Sequence, residues 1–143
     1  MECEIPSVNS NTAEMKAYFQ LVKTIAVLGC SPDDTKASNH VAAYLKDVGY
    51  NMIPVYPKGD TILGQKAYRS LADIEEEVDM VVVFRKPAAL DAIADAVIAR
   101  GDVKVYWTQL ALVNNEAAKK VKEAGINVVQ NYCAMVEHKA IFL

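Results

Sequence analysis

Residues 24–39 combine a short apolar run with a polar loop, an arrangement suited to binding a phosphate or another anion. The apolar run, residues 25–28, ends at Gly29, and we expect a helix to begin near Ser38. A buried strand that leads into a helix directs free N–H groups and the positive end of the helix dipole toward one place. The loop lacks the G-x-G-x-x-G spacing of a dinucleotide fold. It therefore predicts an anion site without the usual NAD pattern.

Positively charged residues follow the same kind of apolar run elsewhere in the chain. Lys58 follows the second run, Arg85 and Lys86 follow the third, and Lys36 lies in the first loop. Gathered around one crevice, they would suit a ligand with several phosphates through charge-assisted hydrogen bonds. The alternative interpretation is that they are solvated cations on an ordinary surface.

The chain lacks the residues that hydride transfer with NAD usually requires, and it also lacks those of a catalytic triad. An NAD site places a carboxylate near the end of the second strand, where this chain has Val55 or Tyr56. Neither His40 nor His138 has a spaced Asp, Ser or Cys partner that would indicate a triad. We therefore assign no catalytic residue and no metal ligand, and we predict a binding site.

Several candidate residues have a structural interpretation beside the functional one. Gly29 serves either a tight turn or a close phosphate, and Ser31 and Ser38 either donate to phosphate or cap the helix, with the cap favoured for Ser38. Cys30 and Cys133 are either reactive thiols or, as we favour, small apolar fillers. Trp107 is equally suited to the core and to the wall of a ligand site.

Length and composition predict one ordinary globular domain. The chain has 143 residues, 52% of them apolar and 23% charged, and a net charge of −3. We expect no nucleic-acid or membrane partner, because the charge is slightly negative and no apolar run approaches a membrane span. The sequence has no signal-peptide core, and its three cysteines, Cys3, Cys30 and Cys133, are an odd number without a C-x-x-C pair, so we expect a cytoplasmic protein. A monomer and a homodimer both remain open.

Apolar runs alternate with amphipathic segments, which predicts an α/β fold. Residues 1–10 are expected to be loosely ordered, and residues 11–143 to form a single doubly wound Rossmann-like domain. Asn11 and Glu14 form a capping box for its first helix. Five strands, near residues 24–28, 51–56, 79–84, 103–107 and 126–129, predict a mostly parallel sheet of order 3-2-1-4-5. A short segment follows the last strand.

Ligands of such sheets bind outside the carboxyl ends of the strands, at the switch point. The candidate site is therefore formed by residues that come just after strands. They are Gly29, Cys30, Ser31, Lys36, Ser38, Tyr56, Pro57, Lys58, Phe84, Arg85, Lys86, Trp107, Thr108, Gln109 and Cys133.

Eight short motifs in this order resemble the small stand-alone CoA-binding proteins, whose domain is also the N-terminal domain of the succinyl-CoA synthetase α subunit. They lie at residues 25–32, 53–58, 62–64, 70–74, 82–87, 107–110, 115–118 and 129–133, with Glu137 and His138 beyond them. The resemblance covers residues 20–140. It implies a Rossmann-like fold that binds coenzyme A or an acyl-CoA without catalysis.

The resemblance also implies roles for matching residues. Residues 31–38 would take the pyrophosphate, and Lys58 a phosphate of the adenosine end. Residues 84–86 would border the adenine and ribose, and residues 107–109 would face the pantetheine arm. The chain departs from the family pattern in having Cys30 for Ala, Tyr56 for Asn, Ala111 for Gly, and residues 131–133 as Asn-Tyr-Cys for Asp-Arg-Cys.

Two other functions remain open from the sequence. The chain could be a CoA-dependent ligase or transferase component that needs a partner chain. It could also bind another nucleotide such as NAD. Thiol chemistry between bound CoA and Cys30 or Cys133 is a further hypothesis.

Overall fold

The computed structural model describes residues 5–143, so Cys3 and residues 1–4 lie outside the described residues. The strands within this part are β1 Thr24–Leu28, β2 Asn51–Val55, β3 Thr61–Ile62, β4 Gln65–Lys66, β5 Met80–Val83, β6 Val105–Thr108 and β7 Asn127–Val129. The α-helices are α1 Thr12–Leu21, α2 Ala37–Asp47, α3 Leu90–Arg100, α4 Asn115–Glu123 and α5 Ala134–Phe142. The predicted α/β class is confirmed.

The strand order places the switch point between β1 and β5. Five strands form one sheet in the order β2-β1-β5-β6-β7 within the described residues, and every neighbouring pair is parallel. Outside β2, Tyr68 forms one parallel bridge to Val55. With this bridge counted as the third position, the order reads 3-2-1-4-5-6, which contains the predicted 3-2-1-4-5 pattern. The strand near residues 79–84, third along the sequence, then takes the fourth position, beside β1.

Pro54 explains why only a bridge forms on the outer side of β2. Its carbonyl accepts a hydrogen bond from the Tyr68 N–H at 3.0 Å, and the Tyr56 N–H donates to the Tyr68 carbonyl at 2.9 Å. Proline has no N–H with which to continue a ladder on that side, so it is found on edge strands. The carboxyl end of β2 consequently stays open beside that of β1.

Helices cover both faces of the sheet. Successive side chains of a strand point to opposite faces, and in β1 Ile25 and Val27 pack on one side while Ala26 and Leu28 pack on the other. Helices α1, α2 and α5 bury their apolar residues on the first side, and α3 and α4 on the second. This three-layer arrangement holds the carboxyl ends of the strands on a rigid scaffold.

Local sequence signals account for several helix ends. The capping box of Asn11 and Glu14 is present at α1, Asn114 caps α4 by accepting from the Ala117 N–H, and Gly101 ends α3 with φ +77°. Two expectations were wrong. Ser38 does not cap α2, whose N-cap residue is Lys36. The short segment expected after the last strand is instead the helix α5.

Residues 7–10 are hydrogen-bonded to the carboxyl end of β7 and the start of α4. Asn9 exchanges hydrogen bonds with the Gln130 backbone at 3.0 and 2.9 Å, and the Ser10 hydroxyl donates to the Val128 carbonyl at 2.7 Å. The Ser7 N–H donates to Asn115 Oδ1 at 2.9 Å. The expected domain boundary at residue 10 stays a prediction. No helix of residues 5–143 is long and apolar enough to cross a membrane.

Candidate functional site

Three adjoining cavities form a crevice at the carboxyl ends of β1, β2, β5 and β6, and Phe84 lines all of them. The loop cavity, about 350 Å³, is lined by Gly29, Ser31, Lys36, Ala37, Ser38, Tyr56 and Phe84. The edge cavity, about 280 Å³, is lined by Gly29, Tyr56, Pro57, Phe84, Arg85 and Lys86. The apolar cavity, about 360 Å³, is lined by Ala37, Val41, Phe84, Arg85, Gln109, Leu110, Leu112 and Cys133. The crevice therefore has its lysines at one end and a mainly hydrocarbon lining at the other, with Arg85 between them.

Gly29 is where the backbone of β1 passes closest to the neighbouring strand. Its φ is +82°, and a Cβ built on it would lie 2.0 Å from the Phe84 carbonyl oxygen. Its N–H donates to the Val55 carbonyl at 2.9 Å, as does the Cys30 N–H at 3.2 Å. Both donors are thus used inside the protein. Gly29 forms the tight turn that brings three strand ends together, and it lines the crevice by its small size.

The loop before α2 is held by its own hydrogen bonds. Ser38 Oγ accepts from the Ser31 N–H at 3.0 Å, and Asn39 Nδ2 donates to the Ser31 carbonyl at 2.9 Å. Asp33 accepts from the Thr35 hydroxyl and N–H, and these bonds lower the pKa of its carboxyl. Among the described residues, no side chain caps the N-terminus of α2. The positive end of its dipole therefore remains available at the loop cavity.

Three of the four predicted cations line the crevice. Lys36 lies at the loop cavity, and Arg85 and Lys86 lie at the edge cavity. Lys58 is exposed and lines none of the three cavities. Arg69 instead fixes the nearby loop, since it donates to the carbonyls of Tyr56 at 3.0 Å and Gly59 at 2.7 Å.

Cys30, Trp107 and Thr108 are buried behind the crevice and line none of the three cavities. Burial raises the pKa of the Cys30 thiol to about 11, so Cys30 is a core filler with little thiolate at neutral pH. Trp107 Nε1 donates to the Tyr132 carbonyl at 2.8 Å, next to Cys133. The Thr108 hydroxyl donates to the Leu112 carbonyl at 2.6 Å. Both side chains thus position loops that form the apolar cavity.

Gln109 is buried at the apolar cavity, and its side chain contacts the start of α5. Its Oε1 accepts from the Ala134 N–H at 3.4 Å. Its Nε2 is buried and has no hydrogen-bond partner within the described part of the chain. Cys133, the residue before α5, is half-buried and lines the same cavity.

Two residues that depart from the expected family pattern lie in two neighbouring turns, and both have a left-handed backbone. Ala111 has φ +66°, and so does Asn131. The Ala111 N–H donates to Asn131 Oδ1 at 2.7 Å, which links the two turns. Glycine adopts this left-handed backbone without cost, whereas alanine pays about 1–2 kcal/mol. The structure thus explains why a glycine suits position 111.

Sequence reasoning missed four lining residues of the crevice: Ala37, Val41, Leu110 and Leu112. Val41 also packs in the core on the inward face of α2. Leu110 follows Gln109 directly and Leu112 lies two residues further on, so their proximity to a predicted site residue was the available signal. Their apolar side chains resemble core residues in sequence, although Leu110 is 63% exposed.

Comparisons with family models, known sequences and solved structures all find proteins similar to this chain. A sequence model of the CoA binding domain matches residues 23–139. The uncharacterized protein YneT of Bacillus subtilis is 39% identical over 130 residues, which cover 91% of this chain and 96% of the relative. A solved structure of a hypothetical protein from Pyrococcus horikoshii is 35% identical and superposes with a TM-score of 0.90, covering 100% of both chains.

The chain is also similar to part of a larger enzyme. It is 34% identical over 120 residues to an ADP-forming acetate–CoA ligase of Archaeoglobus fulgidus. The match covers 78% of this chain and 18% of the ligase, so only a minor part of that enzyme has a counterpart here. The fold, the matched residues and these relatives agree, and the chain belongs to the CoA-binding domain family.

Proposed function

We propose that the crevice binds coenzyme A and that its residues hold the ligand without reacting with it. The observation that carries this proposal is the division of the crevice: both lysines lie at the loop and edge cavities, Arg85 lies between the edge and apolar cavities, and the rest of the apolar cavity is mainly hydrocarbon. CoA has a matching division, because its nucleotide end carries three phosphate groups and its pantetheine arm carries none.

The charged end has two features that favour phosphates. The uncapped N-terminus of α2 lies at the loop cavity beside Lys36, where a pyrophosphate would meet the helix dipole and a cation. Arg85 and Lys86 lie at the edge cavity beside the ring of Tyr56. We assign the ribose 3′-phosphate to these two cations rather than to Lys58, and the adenine to the space between Tyr56 and Phe84.

The lining supports binding rather than catalysis. Within the described residues, the side chains that line the three cavities include no Asp, Glu or His. These are the commonest general acids and bases of enzymes. The proposed role is therefore to bind CoA or an acyl-CoA.

Calorimetric titration with CoA, dephospho-CoA and NAD tests the proposal. We expect CoA to bind most tightly, dephospho-CoA to bind more weakly and NAD to give no heat of binding. Arg85→Gln and Lys86→Ala should each weaken the affinity for CoA about tenfold, because a charge-assisted hydrogen bond is lost. Lys122→Ala, a matched change of an exposed lysine on α4, should leave binding unchanged. Absence of CoA binding, or binding that ignores both crevice variants, contradicts the proposal.

The similarity to a ligase segment favours one second candidate, a CoA-ligase component that needs a partner chain. The test is acetyl-CoA formation from acetate, CoA and ATP. We expect none from this chain alone. Formation on addition of a chain that supplies an ATP-binding domain would favour the second candidate.

A further inference from the structure

A buried amide nitrogen in the crevice lacks a hydrogen-bond partner. Gln109 is only 4% exposed, and its Nε2 is one of two buried side-chain polar atoms without a partner within the described part of the chain. The other, the Tyr106 hydroxyl, belongs to a residue that lines none of the three crevice cavities. Buried polar groups are nearly always satisfied, so an unpaired donor at a cavity calls for a partner from outside the chain.

The orientation of the Gln109 amide is set by its other atom. The Ala134 N–H can only donate, so the group it contacts must be the oxygen, and the separation is 3.4 Å. The amide nitrogen is thereby directed away from α5. The free group is a donor, and the ligand atom that meets it must be an acceptor.

The surroundings of this donor are mainly hydrocarbon. Val41, Phe84, Leu110 and Leu112 line the apolar cavity in addition to Gln109, and Arg85 and Cys133 complete its rim together with Ala37. Leu110 is 63% exposed, and an apolar group seated in the cavity would cover part of its side chain. The cavity thus offers one buried, unpaired amide donor within a mainly apolar lining.

We propose that this cavity receives the acyl group of a short-chain acyl-CoA, with the thioester carbonyl oxygen accepting a hydrogen bond from Gln109 Nε2. This inference rests on the proposed function. A thioester carbonyl is a good acceptor, whereas the thiol of free CoA is a weak one. The chain beyond the carbonyl is hydrocarbon and fits the leucines. The ligand class is accordingly an uncharged acyl thioester in preference to free CoA.

The experiment compares CoA, butyryl-CoA and S-butyl-CoA, a thioether without the carbonyl, by calorimetry under reducing conditions. We expect S-butyl-CoA to bind more tightly than CoA, by up to about fourfold for each methylene buried. Butyryl-CoA should bind about tenfold more tightly than S-butyl-CoA, because only it satisfies the buried donor. In Gln109→Met, which removes the donor but keeps an unbranched side chain, this tenfold difference should disappear.

Controls separate the outcomes. Retained S-butyl-CoA binding by Gln109→Met shows that the variant is folded, and Gln20→Met on the exposed face of α1 should leave all three affinities unchanged. Equal affinity of the wild type for butyryl-CoA and S-butyl-CoA would overturn the inference while leaving CoA binding intact. Equal weakening of all three ligands in Gln109→Met would also overturn it and assign the donor to a pantetheine amide. If none of the three binds, the proposed function fails as well.

Discussion

At the scale of single residues, Gly29 decides whether the crevice can form. Its N–H donates to the Val55 carbonyl, and the absence of a side chain leaves room for the Phe84 carbonyl. The residue therefore works by shape, since it allows β1 and the end of β5 to approach at the point where Phe84 enters all three cavities. A glycine at the end of a first strand can allow either a ligand phosphate or a neighbouring strand to come close to the backbone. Only the three-dimensional contacts distinguish the two cases.

Replacing Gly29 should be more costly than replacing a glycine with the same backbone in open space. Gly125 has φ +85° and no atom within 4 Å of a built Cβ, whereas the Cβ of Gly29→Ala would lie 2.0 Å from a backbone oxygen. Gly125→Ala should lose about 1–2 kcal/mol of unfolding free energy from its left-handed backbone alone. Gly29→Ala should lose about 1–3 kcal/mol more, because the strand ends must move apart.

Urea unfolding of the two variants and the wild type measures this difference. Equal losses for Gly29→Ala and Gly125→Ala would contradict the close approach at Gly29.

At the scale of elements, Asp79 joins the amino ends of three strands. Its Oδ2 accepts from the N–H groups of Lys23 at 2.9 Å and Thr24 at 3.0 Å, and its Oδ1 pairs with Lys104 at 3.2 Å.

Asp79→Ala would leave two backbone donors without an acceptor and should cost about 1–3 kcal/mol of unfolding free energy. Asp79→Asn, which keeps one oxygen, should cost less. Asp47→Ala, an exposed control on α2, should stay within about 0.5 kcal/mol of the wild type.

The same carboxylate should make stability depend on pH. Burial by itself raises the pKa of Asp79, but hydrogen bonds from Thr24, Lys23 and Lys104 outweigh it and hold the pKa below the ordinary value of 3.8. The stabilisation is fully present above pH 3.8 and is lost as the pH falls through the lower folded pKa. The stability difference between wild type and Asp79→Asn should therefore be constant from neutral pH to about pH 5 and shrink under more acidic conditions. A difference that grows on acidification would contradict this account.

Elements with strong local signals could be predicted from the sequence, and others could not. The unbroken apolar run of β5 and the caps at Asn11 and Asn114 appear in the structure because each depends on neighbours in the chain. The sequence did not predict helix α5 because its burial depends on partners that are distant in the chain. The ring of His138 packs against that of Phe19 with centroids 5.0 Å apart, and its Nδ1 is hydrogen-bonded to the Tyr44 hydroxyl at 2.5 Å. Ser38 was misread because its partner, the Ser31 N–H, lies across the loop.

At the scale of the whole molecule, the doubly wound topology predicted where the site lies but not which side chains reach it. Residues just after β1, β2 and β5 line the crevice as a group. Trp107 and Thr108 also lie at a strand's carboxyl end, yet they point into the protein. The side to which a residue points depends on pleat and loop path, and sequence position alone does not determine either. Gln109 became informative only when its unpaired nitrogen could be seen.

The measurement that tests the central claim most directly is an NMR titration of ¹⁵N-labelled protein with CoA. If CoA occupies the crevice, amide shifts should concentrate at Gly29, Ser31, Phe84 and Gln109, which line its cavities. The amide of Asn51, at the amino end of β2 and remote from the crevice, should not change. Shifts confined to the carboxyl ends of the strands are the predicted result. A spectrum without changes, or changes gathered at the amino ends, would contradict the account.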